Sequence, residues 1–231
     1  MNVRIFAYVG ALLALQAVAG CSDENKAENR SIATPVAVTN SAVAQDSKLI
    51  LAFGDSLYAG YGLNPGESFP DGLARALTAS GAHVTVQNAG VSGDTSAAGL
   101  ARLAFTLDGL PRKPDLALVN LGGNDMLRGI DPKETRANLT AICEDLKKRG
   151  IPIILTGMVA APNMGRDYAD AFNPIYPDLA KRFDAGLYPF FLDGVIGDRA
   201  LMQADSVHPN AKGIGVIVGK VAPMVAARLG A

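Results

Sequence analysis

From residue 48 onward, short apolar runs alternate with longer stretches in which apolar residues recur every three or four positions. Two of the runs, Leu116–Val119 and Ile151–Leu155, are continuously apolar, which is typical of strands buried on both faces of a parallel sheet. The pattern predicts strands at Leu49–Phe53, His83–Gln87, Asp115–Leu121, Ile151–Gly157 and a short Pro189–Leu192.

The stretches between these runs predict amphipathic helices with recognisable ends. The clearest helix begins with Asp131 as its N-cap and Pro132 in its first turn, and it stops before Gly150, a residue suited to the left-handed turn after a helix. The predicted helices are Asp71–Ser80, Ser96–Leu107, Pro132–Arg149, Asn173–Ala185 and Pro209–Leu229. Because strands and helices alternate through short links, we expect an α/β protein: a three-layer α/β/α sandwich with about five parallel strands.

Polar clusters follow the first three predicted strands, at Gly54–Ser56, Asn88–Asp94 and Gly122–Asp125. In an open parallel sheet, ligands bind beyond the carboxyl ends of the strands. The loops that follow parallel strands reach the same edge of the sheet, so we expect the three clusters to meet. The sequence therefore predicts a functional site at this edge.

Ser56 directly follows a predicted strand, and Asp205 precedes His208 by three residues near the other end of the chain. A serine hydroxyl is a poor nucleophile until a base takes its proton, and an imidazole oriented by a carboxylate is such a base. The second histidine, His83, has no acidic neighbour in sequence, which favours a surface or structural role. We predict Ser56 as nucleophile, His208 as base and Asp205 as the group that orients the base. The alternatives are a helix-capping role for Ser56 and an ordinary surface pair for the other two.

Acyl transfer also needs hydrogen-bond donors aimed at the oxyanion that forms in the transition state. The candidates are the backbone N–H of Ser56, the backbone N–H of Gly93 and the side-chain amide of Asn124. Gly93 has no Cβ, which lets its backbone approach a substrate closely. Judged from the residues alone, Gly93 and Asn124 are equally typical of turns.

A metal site is the main rival to this interpretation. Gly54-Asp55 and Gly123-Asn124-Asp125 resemble blocks of metallophosphoesterases, but such sites use several histidines and this chain has two in all. The chain also lacks the glycine spacings of phosphate-binding loops. We therefore expect no metal and no other cofactor.

The composition narrows the class of partner. Charges nearly cancel at a formal net charge of −1 with no run of Lys or Arg, so no nucleic-acid partner is expected. The absence of Trp and an aromatic content of 6% argue against a stacking platform for sugars or bases.

Cys143 continues the apolar period of Leu139, Ile142 and Leu146, which favours a place in the core over a catalytic role.

Residues 1–20 have the pattern of a signal peptide. Arg4 precedes an apolar stretch, Ile5–Ala19, that is too short for a typical transmembrane helix. The chain is therefore expected to be exported.

Val18-Ala-Gly-Cys21 resembles the lipobox of bacterial lipoproteins, which predicts cleavage before Cys21 and lipidation of that cysteine. An ordinary signal peptide is the alternative. Ser22 after the cysteine is typical of lipoproteins sent on to the outer membrane, so we expect a periplasm-facing protein anchored to that membrane. Residues 21–47 are polar and predict a flexible tether, and residues 48–231 form the predicted domain.

Four blocks of this sequence, in order, resemble the SGNH (GDSL) hydrolase family. They are Gly54-Asp55-Ser56-Leu57, Gly93 within Ser92–Thr95, Gly122-Gly123-Asn124-Asp125, and Asp205-x-x-His208-Pro209. Within the family, the acyl-CoA thioesterase I, lysophospholipase L1 and arylesterase group is the most similar. That similarity is carried by Ala59–Gly62, Ser92–Ser96, Gly99–Leu103, Leu121–Gly129 and Ile175–Ala180.

The resemblance implies a flavodoxin-like sandwich that works without a metal. It implies Ser56 as nucleophile, His208 as base and Asp205 as orienter, with Gly93 and Asn124 completing an oxyanion hole. The expected activity is hydrolysis of small acyl esters, thioesters or lysophospholipids. A carbohydrate O-deacetylase and a non-catalytic, lipid-binding envelope lipoprotein are the alternatives.

The wall of the acyl pocket is expected after the fourth strand. It would be formed by Met158–Pro162, Met164, Tyr168, Phe172 and Tyr176. Core packing explains Phe172 and Tyr176 about equally well. In related enzymes the loop before the third strand shapes the acyl groove, so Leu107–Lys113 is expected to select chain length.

Overall fold

The computed structural model describes residues 47–230. The predicted signal peptide, the lipidation of Cys21 and nearly all of the predicted tether lie outside the described residues.

A parallel sheet forms the centre of the fold. Its strands are β1 (Lys48–Gly54), β2 (Val84–Gly90), β3 (Leu116–Asn120), β4 (Ile153–Thr156) and β5 (Gly186–Tyr188). They lie in the order β2-β1-β3-β4-β5, and every neighbouring pair is parallel. This is the flavodoxin-like strand order, and it confirms the predicted fold class.

The register of the sheet aligns the carboxyl ends of its first three strands. Gly54, at the end of β1, lies opposite Gly90 in β2 and opposite Asn120 in β3. The chain leaves β1 for β2 on one side and later returns to β3 on the other, which opens a crevice at this point. The three polar clusters therefore meet at one edge, as their positions in the sequence predict.

Helices cover the sheet. They are α1 (Ser56–Ala59), α2 (Phe69–Ala79), α3 (Ser96–Asp108), α4 (Gly123–Leu127), α5 (Pro132–Lys148), α6 (Arg166–Phe172), α7 (Ile175–Phe183) and α8 (Ala211–Leu229). Helix α2 packs on α8, whereas α5 packs on α3, α6 and α7. No helix of residues 47–230 has the length and apolar character needed to cross a membrane.

The core lies between these helices and the sheet. Every residue of β3 and β4 is buried, as the continuous apolar runs predict. Cys143 is fully buried on α5, and burial raises the pKa of its thiol to about 12. It is a core residue, as predicted.

Helix α5 also has the predicted ends. The side chain of Asp131 accepts a hydrogen bond from the Lys133 N–H at 2.9 Å, and Gly150 has a φ of 66°. Capping signals are local, so they can be read without knowledge of the rest of the fold.

One predicted strand is wrong. The last strand is Gly186–Tyr188, not Pro189–Leu192: Phe191 and Leu192 are apolar because they are buried in the turn that follows. The predicted helix Asn173–Ala185 is confirmed as α7, two residues shorter at each end, whereas the preceding α6 was not predicted. Pro174 is the N-cap of α7, where a missing N–H removes no intrahelical hydrogen bond.

Candidate active site

The turn after β1 presents Ser56. Asp55 is the N-cap of α1, and its Oδ1 accepts a hydrogen bond from the Leu57 N–H at 3.0 Å. Ser56 is then the first residue of the helix, where the backbone N–H has no intrahelical acceptor. The capping role considered for Ser56 belongs to Asp55, which leaves the serine hydroxyl free for another partner.

Close packing around the Asp55-Ser56 turn requires a glycine at position 54, directly before it. A Cβ on Gly54 would lie 2.8 Å from the carbonyl oxygen of Asn120 and 2.9 Å from the ring of Tyr58. Tyr58 is fully buried, and its hydroxyl hydrogen-bonds the hydroxyl of Thr156 at 2.9 Å. The start of α1 is therefore fixed against β3 and β4.

The structure brings Ser56, His208 and Asp205 together. The Oγ of Ser56 lies 2.8 Å from Nε2 of His208, and Nδ1 of His208 lies 2.6 Å from Oδ2 of Asp205. These are hydrogen-bond distances, and they link the three side chains in one continuous chain. The ring of Tyr61 lies against the imidazole, with 4.6 Å between the ring centroids.

The Asp205 carboxylate is held in its charged form. Its Oδ1 accepts hydrogen bonds from the backbone N–H groups of Val207 and His208, both at 3.0 Å. Partial burial tends to raise the pKa of Asp205, but these bonds and the imidazole outweigh it and lower the pKa to about 2. The carboxylate is therefore available at neutral pH to orient the imidazole and to stabilise its protonated form.

Gly93 and Asn124 face the same site. Gly93 has a φ of 86°, in a turn closed by a 3.1 Å hydrogen bond from the Asp94 N–H to the Val91 carbonyl. Its conformation is one that residues with a Cβ rarely adopt. Asn124 lies on α4, and its Nδ2 donates to the Asp94 carbonyl at 3.0 Å and to Oδ2 of Asp55 at 3.3 Å. The amide nitrogen is thus fixed between the loops after β1 and β2.

Asp55 is a residue of the site that sequence reasoning did not single out. Its side chain is buried, and burial raises its pKa to about 6, against the lowering effect of the Leu57 N–H, of nearby His208 and of Asn124. The only sequence signal is an acid directly after a buried apolar strand, where a buried charge is costly.

The role of Asp125 was also not predicted from the sequence. It is the centre of a buried network of hydrogen bonds beside Asn124. Its carboxylate accepts hydrogen bonds from the Ser96 N–H at 2.7 Å, the Ser96 hydroxyl and the Thr135 hydroxyl at 3.1 Å. This network ties α4 to α3 and α5. It holds in place the short helix that carries Asn124.

A cleft of about 690 Å³ opens beside these groups. Ser56, Gly93, Asn124 and His208 all line it, and the rest of its lining is mainly apolar. No three His, Cys, Asp or Glu side chains within residues 47–230 are grouped so that they could hold a metal ion.

The predicted acyl wall is partly right. Residues 158–162 line the cleft. Phe172 and Tyr176 do not: both are buried in the core, and the Tyr176 hydroxyl donates to the Leu121 carbonyl at 2.7 Å. Met164 and Tyr168 also lie outside the cleft lining.

The loop Leu107–Lys113 does not line the cleft, which argues against the expectation that it selects chain length. It leads into the start of β3, and Arg112 donates to the Ser47 carbonyl, just before β1. The loop therefore lies at the amino-terminal edge of the sheet, opposite the cleft. His83 is exposed directly before β2, which agrees with the surface role, one of the two predicted for it.

Residues 52–214 match the GDSL-like Lipase/Acylhydrolase family. The chain is 43% identical over 170 residues to an arylesterase of Vibrio mimicus, covering 74% of this chain and 84% of the relative. It is 42% identical over 175 residues to thioesterase 1/protease 1/lysophospholipase L1 of Escherichia coli (strain K12), covering 76% of this chain and 81% of the relative.

A solved structure of AlinE4, an SGNH-hydrolase family esterase, is also similar. It superposes with a TM-score of 0.68 at 54% sequence identity, over 78% of this chain and 96% of that one. Two further structures of AlinE4 carry a single alanine substitution, one in place of a serine and one in place of an aspartate.

Proposed function

The chain belongs to the GDSL-like lipase/acylhydrolase family, and on that premise we propose that it cleaves acyl esters or thioesters through an acyl-enzyme on Ser56. The class of reaction, carboxylic ester or thioester hydrolysis, follows from the family and its named members. The roles of the three residues are supported by two linked hydrogen bonds. Ser56 Oγ lies 2.8 Å from His208 Nε2, and His208 Nδ1 lies 2.6 Å from Asp205 Oδ2.

In the first half of the reaction, Nε2 of His208 accepts the hydroxyl proton as Ser56 Oγ forms a bond to the substrate carbonyl carbon. The carbonyl oxygen becomes an oxyanion. As the tetrahedral intermediate collapses, the bond to the alcohol or thiol breaks, and that leaving group takes the proton from His208. A water molecule then repeats the sequence on the acyl-enzyme, releasing the acid and restoring the serine.

Three N–H donors are assigned to the oxyanion: the backbone of Ser56, the backbone of Gly93 and Nδ2 of Asn124. Both N–H bonds of the Asn124 amide have acceptors in the structure, Asp94 and Asp55. The contact with Asp55 is the longer of the two, at 3.3 Å. We therefore expect the oxyanion to take over this N–H when it forms.

A correspondence with AlinE4 supports two of the assigned roles. The serine and the aspartate replaced by alanine in that esterase are as far apart along its chain as Ser56 and Asp205 are here. The two substituted positions thus have the spacing of our proposed nucleophile and orienting carboxylate.

The cleft favours substrates with an apolar acyl group. Its polar lining is concentrated around Ser56 and His208, whereas several large apolar side chains at its mouth are exposed to solvent: Tyr61, Leu127, Val159, Ile196 and Val207. Such a surface suits an aryl ester, a lysophospholipid or an acyl thioester, the compounds named in the relatives. The cleft offers few polar groups that could bind a sugar, so carbohydrate O-deacetylation is the less favoured activity.

We also propose that the enzyme works in the cell envelope, anchored through a lipid on Cys21. The support is the sequence alone, namely the apolar stretch followed by the lipobox-like Val18-Ala-Gly-Cys21. Mass analysis of the mature N-terminus tests it. A diacylated Cys21 supports the anchor, and an unmodified N-terminus contradicts it.

The direct test of function is a series of p-nitrophenyl esters from acetate to palmitate. Wild type should hydrolyse them, and Ser56→Ala should lose activity by a factor of about 10⁴ or more. Ser80→Ala, which removes a serine hydroxyl at the end of α2, outside the cleft lining, is the matched control and should keep the wild-type rate. Equal rates for wild type and Ser56→Ala would refute the mechanism.

A further inference from the structure

Arg102, on α3, extends its guanidinium group to the end of β1. Its Nε donates to Oδ2 of Asp94 at 2.6 Å, and its Nη2 donates to the carbonyl oxygen of Gly54 at 3.0 Å. The guanidinium carbon lies 4.2 Å from the centroid of the buried Phe53 ring. The Arg102 and Asp94 side chains are only 21% and 12% exposed, so water screens this ion pair less than it screens a surface pair.

The two groups held by Arg102 lie at or beside two of the segments that form the site. Gly54 directly precedes the Asp55-Ser56 turn, and Asp94 directly follows Gly93. The main-chain carbonyl of Asp94 also accepts the 3.0 Å hydrogen bond from Nδ2 of Asn124. One guanidinium therefore connects the nucleophile turn with the Gly93 loop and, through Asp94, with Asn124.

We propose that Arg102 is a positioning residue: with Asp94, it fixes the oxyanion donors Gly93 and Asn124 relative to Ser56. The inference rests on the proposed function, because it assigns the ion pair a part in stabilising the oxyanion formed when Ser56 attacks. Such donors act only if they already lie about 3 Å from where the oxyanion forms. A displacement of about 1 Å between the two loops is enough to weaken them.

The geometry calls for an arginine. Its planar group presents Nε and Nη2 to two acceptors at once, whereas a lysine ammonium on Asp94 has no rigid second arm for Gly54. The Gly54 carbonyl also accepts from the Val91 N–H at 3.0 Å, so β1 stays paired with its neighbour when Arg102 is replaced. We therefore expect the loops to loosen while the fold remains.

The test compares Arg102→Gln and Arg102→Lys with the control Arg149→Gln. Arg149 also binds carboxylates, Asp108 at 2.8 Å and Asp145 at 3.2 Å, but it lies at the end of α5, at the opposite edge of the sheet. We expect Arg102→Gln to lower kcat for a p-nitrophenyl ester about 10- to 100-fold with KM within about 3-fold of wild type, and Arg102→Lys to lower it less. Arg149→Gln, which breaks more exposed ion pairs, should lose less Tm and keep its kcat.

A second readout separates positioning from a general loss of stability. An alkylboronic acid forms a tetrahedral adduct with an active-site serine, so its affinity should fall in proportion to kcat/KM in the Arg102 variants. Asp94→Asn should lower kcat similarly, and the double variant should lose little more than the worse single variant, because the two residues act as one unit.

Arg102→Gln with a wild-type kcat, or with a boronate affinity that does not follow kcat/KM, overturns the proposal. The Ser56→Ala protein, assayed alongside, tests the proposed function separately. If Ser56→Ala is inactive while Arg102→Gln is fully active, only the positioning role fails. If Ser56→Ala is fully active, the proposed function fails, and the positioning role fails with it.

Discussion

Replacing Asp55 by asparagine should stabilise the protein at neutral pH, although Asp55 lies beside the nucleophile. The buried carboxyl group has its pKa raised by desolvation from the ordinary value of 3.8 to about 6. A group whose pKa is raised on folding holds its proton in the folded state after the unfolded chain has lost it. Stability therefore falls as the pH rises from about 4 to about 6, and it stays lower above that range.

The size of the effect follows from the shift. A change of about 2 pKa units corresponds to roughly 3 kcal/mol of unfolding free energy, at about 1.36 kcal/mol per unit. Asparagine removes the buried charge and keeps an oxygen that can accept from the Leu57 N–H, but its amide group meets the Asn124 amide, which costs roughly 1 kcal/mol. We expect a net gain of about 2 kcal/mol at pH 8, or about 4–8 °C in Tm, and no gain at pH 4.

The assay is thermal unfolding of wild type and Asp55→Asn between pH 4 and pH 8. Asp167→Asn, which removes an exposed carboxylate on α6, controls for the change in net charge. A Tm difference between Asp55→Asn and wild type that is the same at both ends of this range would refute the reasoning. So would a variant that is less stable than wild type at pH 8 and more stable at pH 4.

Three further predictions concern the reaction. Asn124→Ala should lower kcat by about 10²–10³, because it removes an oxyanion donor, with KM changed by less than about 5-fold; a large change in KM alone would contradict the assignment. Asp205→Asn should lower kcat at pH 7 by about 10³–10⁴, since the amide cannot stabilise the imidazolium; a smaller loss than for Asn124→Ala would argue against the orienting role. Ile196→Trp should shift the p-nitrophenyl ester optimum toward shorter acyl chains by filling the mouth of the cleft, whereas Leu110→Trp, in the remote loop, should leave the profile unchanged.

The first four strands of the sheet and the three predicted catalytic side chains could be read from the sequence because their signals are local. A continuous apolar run marks each buried strand, and the three-residue spacing of Asp205 and His208 lets both side chains face one another. That Ser56 and His208 meet from opposite ends of the chain was expected because a serine nucleophile needs a base, and His208 is the histidine with an acidic neighbour in sequence. Gly93 and Asn124 needed the family resemblance, since a turn explains either residue equally well.

Other features depend on tertiary contacts that no local pattern reports. Phe191 and Leu192 are apolar residues of the kind found in strands, but they pack into the core from a turn. Phe172 and Tyr176 are aromatic residues of the kind that line a pocket, but they lie in the core. The contacts of Arg102 with Asp94 and Gly54 connect residues from different elements, so their role was not visible in the sequence.

The central claim is that the acyl group passes through Ser56, and trapping the acyl-enzyme tests it most directly. Wild-type protein mixed with a p-nitrophenyl ester, quenched in acid and digested should show one added acyl mass, on the peptide that contains Gly54-Asp55-Ser56-Leu57. His208→Ala should show far less of it. An acyl group on any other residue, or steady turnover with no acyl group on Ser56 at any time after mixing, would contradict the account.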